Sequence, residues 1–102
     1  MSITHIVLCR IATGTPEAEI AAIRDELAAL QPLVPGMGPL TFGADCSPEG
    51  LARGHSHAFV IPFADTAARD TYLSHPAHKR AGQRLVAACE GGVDGLTVLD
   101  IA

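Results

Sequence analysis

The spacing of apolar side chains shifts from two residues to between three and four within the first third of the chain. Residues 4–11 alternate between two mostly apolar faces, which predicts a strand of a covered sheet, and His5 stands at its start. From Thr15, a candidate N-cap, to about Gln31, apolar residues recur at steps of three and four. This period predicts a helix with one buried stripe. The stripe consists of Ile20, Ile23, Leu27 and Leu30. Pro32 ends this helix.

Three further segments have the pattern of strands. Residues 39–44 predict a short one, and residues 55–63 predict the clearest, with His57 and Phe59 on one face. Residues 96–101 predict the last strand. Between them, residues 45–54 are polar and rich in turn-forming residues, which indicates a loop.

The second helix is predicted to be interrupted. Asp65 or Thr66 can cap its start, and Ser74 can cap a continuation, because Pro76 is tolerated at the start of a helix but not in its middle. The break therefore falls near His75, which we expect to serve the start of the second part. The elements then follow the order β-α-β-β-α-β, an α+β arrangement.

Composition limits the classes of protein that this chain can belong to. Its 102 residues, 48% hydrophobic and 18% charged, predict one globular domain over residues 1–102. A core of that size encloses a ligand pocket most easily with help from a partner subunit, which makes a homodimer plausible. The net charge of −4 argues against nucleic acid as a partner.

The sequence also bears on location and redox state. No apolar run approaches about 18 residues, and the first residues lack the pattern of a signal peptide, so we expect no membrane association and a cytoplasmic protein. Cys9, Cys46 and Cys89 are odd in number and widely spaced, which predicts reduced thiols.

The densest chemical cluster is the segment 72–78, with Tyr72, His75 and His78. Imidazole titrates near neutral pH and a phenol can donate or relay a proton, so this cluster could perform acid–base chemistry. A purely structural alternative has His78 bonded to a backbone carbonyl at a helix start. His5 and His57 could likewise be satisfied core histidines rather than pocket groups.

No metal or other cofactor is expected. The histidines His5, His57 and His78 show no spacing typical of a zinc or iron site. Asp45 alternates with Ser47 and Glu49 in the polar loop and could hold a hard cation such as Mg²⁺, but a solvated turn is the favoured interpretation.

In the order and spacing of its motifs, the chain resembles members of the stress-responsive α/β-barrel (Dabb) family. The likeness lies in the His5 strand, the turn Pro35-Gly36-Met37, the loop 43–51, the His57 strand with Phe63, Tyr72 followed by His75-Pro76-Ala77-His78, and Asp100 near the end. The resemblance implies a ferredoxin-like fold with an antiparallel sheet. It also implies a dimeric α+β barrel, in which two four-stranded sheets pack together and each subunit has a cavity between sheet and helices.

Most members of this family have no assigned activity, but the chain resembles one enzyme among them, a plant polyketide (olivetolic acid) cyclase that works without cofactor or metal. The roles implied are Tyr72 and His78 as catalytic groups, with His5, His57 and Phe59 as substrate-binding groups. Neutral His78 would take a proton from a carbon between two carbonyls while Tyr72 donates to the oxygen. The cyclase has a further pocket tyrosine on the first helix, where this chain offers aliphatic residues such as Leu27, so the substrate is left open.

Three functions are compatible with these features. The first is a cofactor-free cyclase or lyase acting on a polyketide-like or other enolisable carbonyl compound. The second is a non-catalytic stress-response dimer that binds a small molecule in the same pocket. The third is a cofactor-free α/β-barrel monooxygenase; the related haem degraders depend on a Trp, and this chain has none.

Overall fold

Four antiparallel strands form one sheet in a computed structural model that describes residues 1–102. The strands are β1 (Ile3–Cys9), β2 (Thr41–Ala44), β3 (His57–Phe63) and β4 (Leu96–Ile101). Their order across the sheet is β2-β3-β1-β4. Together with the helices between them, this is the ferredoxin-like α+β fold expected from the sequence.

Three helices pack on one face of this sheet. They are α1 (Glu17–Ala28), α2 (Thr66–Ser74) and α3 (Pro76–Ala88), with single 3-10 turns at Gln31–Leu33 and Gly92–Gly95. The expected stripe of α1 is buried, but the helix is shorter than predicted. Pro16 holds the N-cap position, since the Thr15 hydroxyl donates to the carbonyl of Ala12 at 2.7 Å instead of capping. No helix combines the length and apolarity needed to cross a bilayer.

The interruption between α2 and α3 falls at His75, as predicted. Asp65 caps α2 by accepting a hydrogen bond from the backbone N–H of Ala68 at 2.8 Å. The predicted cap at Ser74 is wrong. Pro76 forces the residue before it into extended geometry, so His75 takes the cap position of α3 and its Nδ1 accepts from the Ala77 N–H at 3.0 Å.

The two faces of the sheet differ in their surroundings. The face beneath the helices contributes most of the buried sheet residues: Ile3, His5, Val7, Cys9, Phe59, Ile61 and Phe63. The opposite face is also apolar, and register places Ile6 between Val60 and Leu99 there. No helix of the chain covers this face, and Leu99 and Ile101 are 54% and 56% exposed.

Candidate active site

A cavity of about 260 Å³ lies between the sheet and the helices. Its lining comes from six elements: His5 and Val7 of β1, Leu27 of α1, Phe59 of β3, Tyr72 and Leu73 of α2, His78, Gly82, Leu85 and Val86 of α3, and Leu96 and Val98 of β4. All of these side chains are apolar except those of His5, Tyr72 and His78. The space is therefore an apolar chamber with one group of polar atoms.

Tyr72 is the central member of that group. Its side chain is fully buried, and its ring lies 5.2 Å from Phe63, 5.8 Å from His5 and 4.4 Å from His78, between ring centroids. The hydroxyl has no hydrogen-bond partner in the protein. Burial raises the pKa of Tyr72 far above its usual range, so the phenol stays protonated at neutral pH. It is a donor that needs an acceptor.

His78 lies in the first turn of α3, directly after the break at His75, and lines the cavity from there. Its Nδ1 lies 3.1 Å from the carbonyl oxygen of Leu73 and therefore carries the proton, which leaves Nε2 as an acceptor. The backbone contact expected for a structural histidine is thus present, but it occupies only one of the two ring nitrogens. Burial, aided by nearby positive charge, lowers the pKa of His78 and keeps the ring neutral at pH 7.

His5 is held by a pair of charged groups behind the cavity. Register places it opposite Asp100, and its Nδ1 lies 2.6 Å from Asp100 Oδ1. Arg69 of α2 donates to the other oxygen at 2.9 Å. Partial burial raises the pKa of Asp100, but the hydrogen bonds from His5 and Arg69 and the charge of Arg69 outweigh it, so the net shift of the pKa is downward. The carboxylate accepts a hydrogen bond from the Nδ1–H of His5, and this bond occupies only one of the two ring nitrogens.

The sequence alone did not assign this role to Asp100 or Arg69. One signal was available, since Asp100 is an acidic residue on the inward parity of an otherwise apolar strand. Its pairing with His5 depends on the register of two distant strands, which no local pattern specifies.

The predicted placement of His57 needs correction. It shares a face of β3 with Phe59, but it is the first residue of the strand and lines a separate cavity of about 290 Å³ beside the loop. There its Nδ1 contacts the Ser56 hydroxyl at 2.9 Å and its ring lies 6.2 Å from that of Phe42. His57 lies two residues before Phe59, which corresponds to roughly 6.6 Å along the strand, and this distance places His57 outside the Tyr72 cavity.

His55, the first residue of the predicted third strand, lies in the loop before β3 and is half-buried. Its Nδ1 lies 2.9 Å from the carbonyl oxygen of Ala52, and its Nε2 lies 3.1 Å from the hydroxyl of Thr97. Both ring nitrogens are therefore occupied, and the residue fastens the loop to the edge strand β4.

The polar loop forms a turn through its own side chains. Asp45 accepts from the Ser47 N–H at 3.1 Å, and the Ser47 hydroxyl accepts from the Glu49 N–H at 3.3 Å. The alternation of polar residues thus serves the backbone of the turn. No group of three or more His, Cys, Asp or Glu side chains in the structure is arranged to hold a metal ion.

Comparison with known families gives one match that spans nearly the whole chain. Residues 3–101 match the Stress responsive A/B Barrel Domain, Dabb. The chain belongs to the Dabb family. The family assignment made from the sequence is thereby confirmed.

Comparison with individual proteins and solved structures extends this result. The stress-response A/B barrel domain-containing protein HS1 of Arabidopsis thaliana is 28% identical over 98 residues, covering 96% of this chain and 86% of the relative. A dimeric ferredoxin-like protein from Jannaschia sp. CCS1 has a TM-score of 0.92 at 31% identity, with 100% and 99% of the two chains covered. A hydroxynitrile lyase from Passiflora edulis has a TM-score of 0.84 at 25% identity, with 98% and 91% covered.

Proposed function

We propose that this Dabb protein is a cofactor-free acid–base enzyme, a lyase or cyclase, that acts on an enolisable carbonyl compound bound in the Tyr72 cavity. The observation that carries this proposal is the pairing of two groups. Tyr72 is a buried donor without a partner, and His78, 4.4 Å away between ring centroids, is a neutral base with a free Nε2.

The two groups divide the reaction between them. Nε2 of His78 takes a proton from the carbon next to the carbonyl, and the electron pair of the broken C–H bond passes to the carbonyl oxygen as an enolate. Tyr72 donates its O–H to that oxygen as the charge develops, and its raised pKa keeps it protonated as a donor. In a cyclase, the enolate carbon attacks a second carbonyl, and the oxygen of that carbonyl takes the proton back from His78. In a lyase acting on a β-hydroxy carbonyl compound, His78 takes the hydroxyl proton, the carbon–carbon bond breaks to give a carbonyl and an enolate, and His78 returns the proton to the enolate carbon.

His5 contributes orientation to this site. With Nδ1 fixed on Asp100, its ring cannot turn freely, and its Nε2 is available to a ligand. The existence of a hydroxynitrile lyase with this fold at 25% identity supports lyase chemistry on such a scaffold.

Hydrogen–deuterium exchange tests the proton transfer directly. Ethyl acetoacetate in D₂O is followed by NMR at the carbon between its carbonyls, and the protein is expected to accelerate exchange above buffer. His78→Gln and Tyr72→Phe should each abolish most of that acceleration. His55→Gln is the matched control, since His55 lies outside the cavity and should leave the rate unchanged. Binding of the ester without any acceleration would refute catalysis and favour the ligand-binding alternative.

The uncovered sheet face supports a second part of the proposal, that two copies of the chain associate through it. Ile6, Val60, Leu99 and Ile101 form an apolar surface that no element of the same chain covers. Exposed patches of this kind mark protein interfaces. The Jannaschia relative, 31% identical over the whole chain, is a dimer.

A further inference from the structure

No lysine or arginine side chain lines the cavity. Its only polar lining residues are His5, Tyr72 and His78. A carboxylate or phosphate buried here would lose its water without gaining an ion pair, and such burial is strongly unfavourable.

The cations nearest to the site are already paired with carboxylates or lie outside the cavity lining. Arg69 donates to Asp100 at 2.9 Å and to Asp70 at 3.0 Å. Lys79 follows His78 in sequence, but it is exposed and does not line the cavity. Behind the polar end of the cavity, the carboxylate of Asp100 is paired with Arg69, so these two charges together offer an anion no net attraction.

The volume limits the size of the ligand. A water molecule occupies roughly 30 Å³ in the liquid, so about 260 Å³ corresponds to roughly nine waters. That space suits a compact molecule with the bulk of a substituted benzene ring.

We infer that the ligand of this cavity is an uncharged, compact carbonyl compound, and that the site discriminates against carboxylates of the same shape. The inference rests on the proposed function, because it concerns the same Tyr72 site. Apolar walls bind the body of the molecule, and Tyr72 supplies the hydrogen bond that its carbonyl accepts. Selection against the carboxylate follows from the missing cation rather than from shape.

Three ligands of equal heavy-atom count separate charge from size: acetophenone, benzamide and benzoate. Each is titrated into the ¹⁵N-labelled full-length protein at about pH 7.5, where benzoate is ionised. Shifts of the backbone amides of Leu73 and His78 report on the cavity. Acetophenone and benzamide should bind at least about tenfold more tightly than benzoate.

A pair of valine variants tests the physical reason. Val98 lies at the rim of the cavity and is 54% exposed, so Val98→Lys can place an ammonium group at its mouth. It should raise benzoate affinity about fivefold relative to acetophenone affinity in the same variant. Val93→Lys makes the same substitution at a residue 68% exposed and outside the cavity, and should change neither.

Three outcomes would overturn the inference. If benzoate binds the wild-type protein as tightly as acetophenone, the inferred discrimination against carboxylates is wrong. The hydrogen–deuterium exchange experiment can still support acid–base catalysis in that case. If Val98→Lys leaves benzoate affinity unchanged, the missing cation is not the cause of the selection. If none of the ligands shifts the cavity amides, the cavity is not the binding site and the proposed function fails with the inference.

Discussion

Tyr72→Phe is expected to stabilise the protein while it removes activity. The substitution deletes only a hydroxyl from a fully buried side chain, so the ring contacts with Phe63 and His78 are retained. That hydroxyl has no partner, and an unsatisfied buried polar group costs roughly 1–3 kcal/mol. We therefore expect the free energy of unfolding to rise by about 1 kcal/mol, the lower end of that range, which for a domain of this size raises Tm by about 4–8 °C.

The same variant should lower the acceleration of exchange by roughly 10²–10³, the usual effect of deleting one donor to a developing oxyanion. Thermal unfolding followed by circular dichroism measures the stability, at fixed protein concentration because association shifts Tm. Phe63→Leu is the control, since it alters the neighbouring ring without touching a hydroxyl, and should destabilise by about 1 kcal/mol. A loss of more than about 1 kcal/mol in Tyr72→Phe would show that the hydroxyl has a stabilising partner, and would refute the reasoning.

Further predictions concern His78, the core and the sheet face. Burial lowers the pKa of His78, so the unfolded chain binds more protons than the native protein and stability falls as pH drops below about 6.5. His78→Gln should remain folded and lose part of that pH dependence. Urea midpoints of both proteins at about pH 7.5 and about pH 5.5 measure this, and an equal change of midpoint between the two pH values in wild type and variant would contradict it. Phe59→Ala should cost about 3–5 kcal/mol in chemical denaturation, because the ring is 3% exposed; a cost below about 1 kcal/mol would contradict its core role. Leu99→Lys should dissociate the dimer in analytical ultracentrifugation, whereas Val93→Lys should not; an unchanged mass for Leu99→Lys would refute the proposed interface.

The parts of the fold that the sequence predicts are those governed by local chemistry. The alternation in residues 4–11 gives β1 and its inward face, since strand geometry sends successive side chains to opposite sides. The break at His75 follows from Pro76 alone, because proline restricts the residue before it. The caps were harder to predict. The Thr15 hydroxyl can bond locally in more than one way, and it donates to the carbonyl of Ala12 instead of accepting from a helix N–H.

The composition of the site depends on long-range geometry, which sequence patterns do not contain. His5, Tyr72 and His78 were predicted as a group, and the structure does bring them together. His57 has the same parity as Phe59, but how far the cavity extends along β3 depends on where the helices cross the sheet. The pairing of His5 with Asp100 required the register of strands separated by almost the whole chain.

The location of the one buried side-chain polar atom without a partner is the strongest argument that the cavity is functional. Across the whole chain, the Tyr72 hydroxyl is the only buried side-chain nitrogen or oxygen that lacks a hydrogen bond. A packing defect could fall anywhere in the core of 19 residues. This one belongs to a residue that lines an apolar cavity, beside a histidine with a lowered pKa and opposite another histidine that a carboxylate orients. The unpartnered hydroxyl, the cavity and the buried His78 each lower stability, and their occurrence at one point is expected where a ligand supplies the missing contacts.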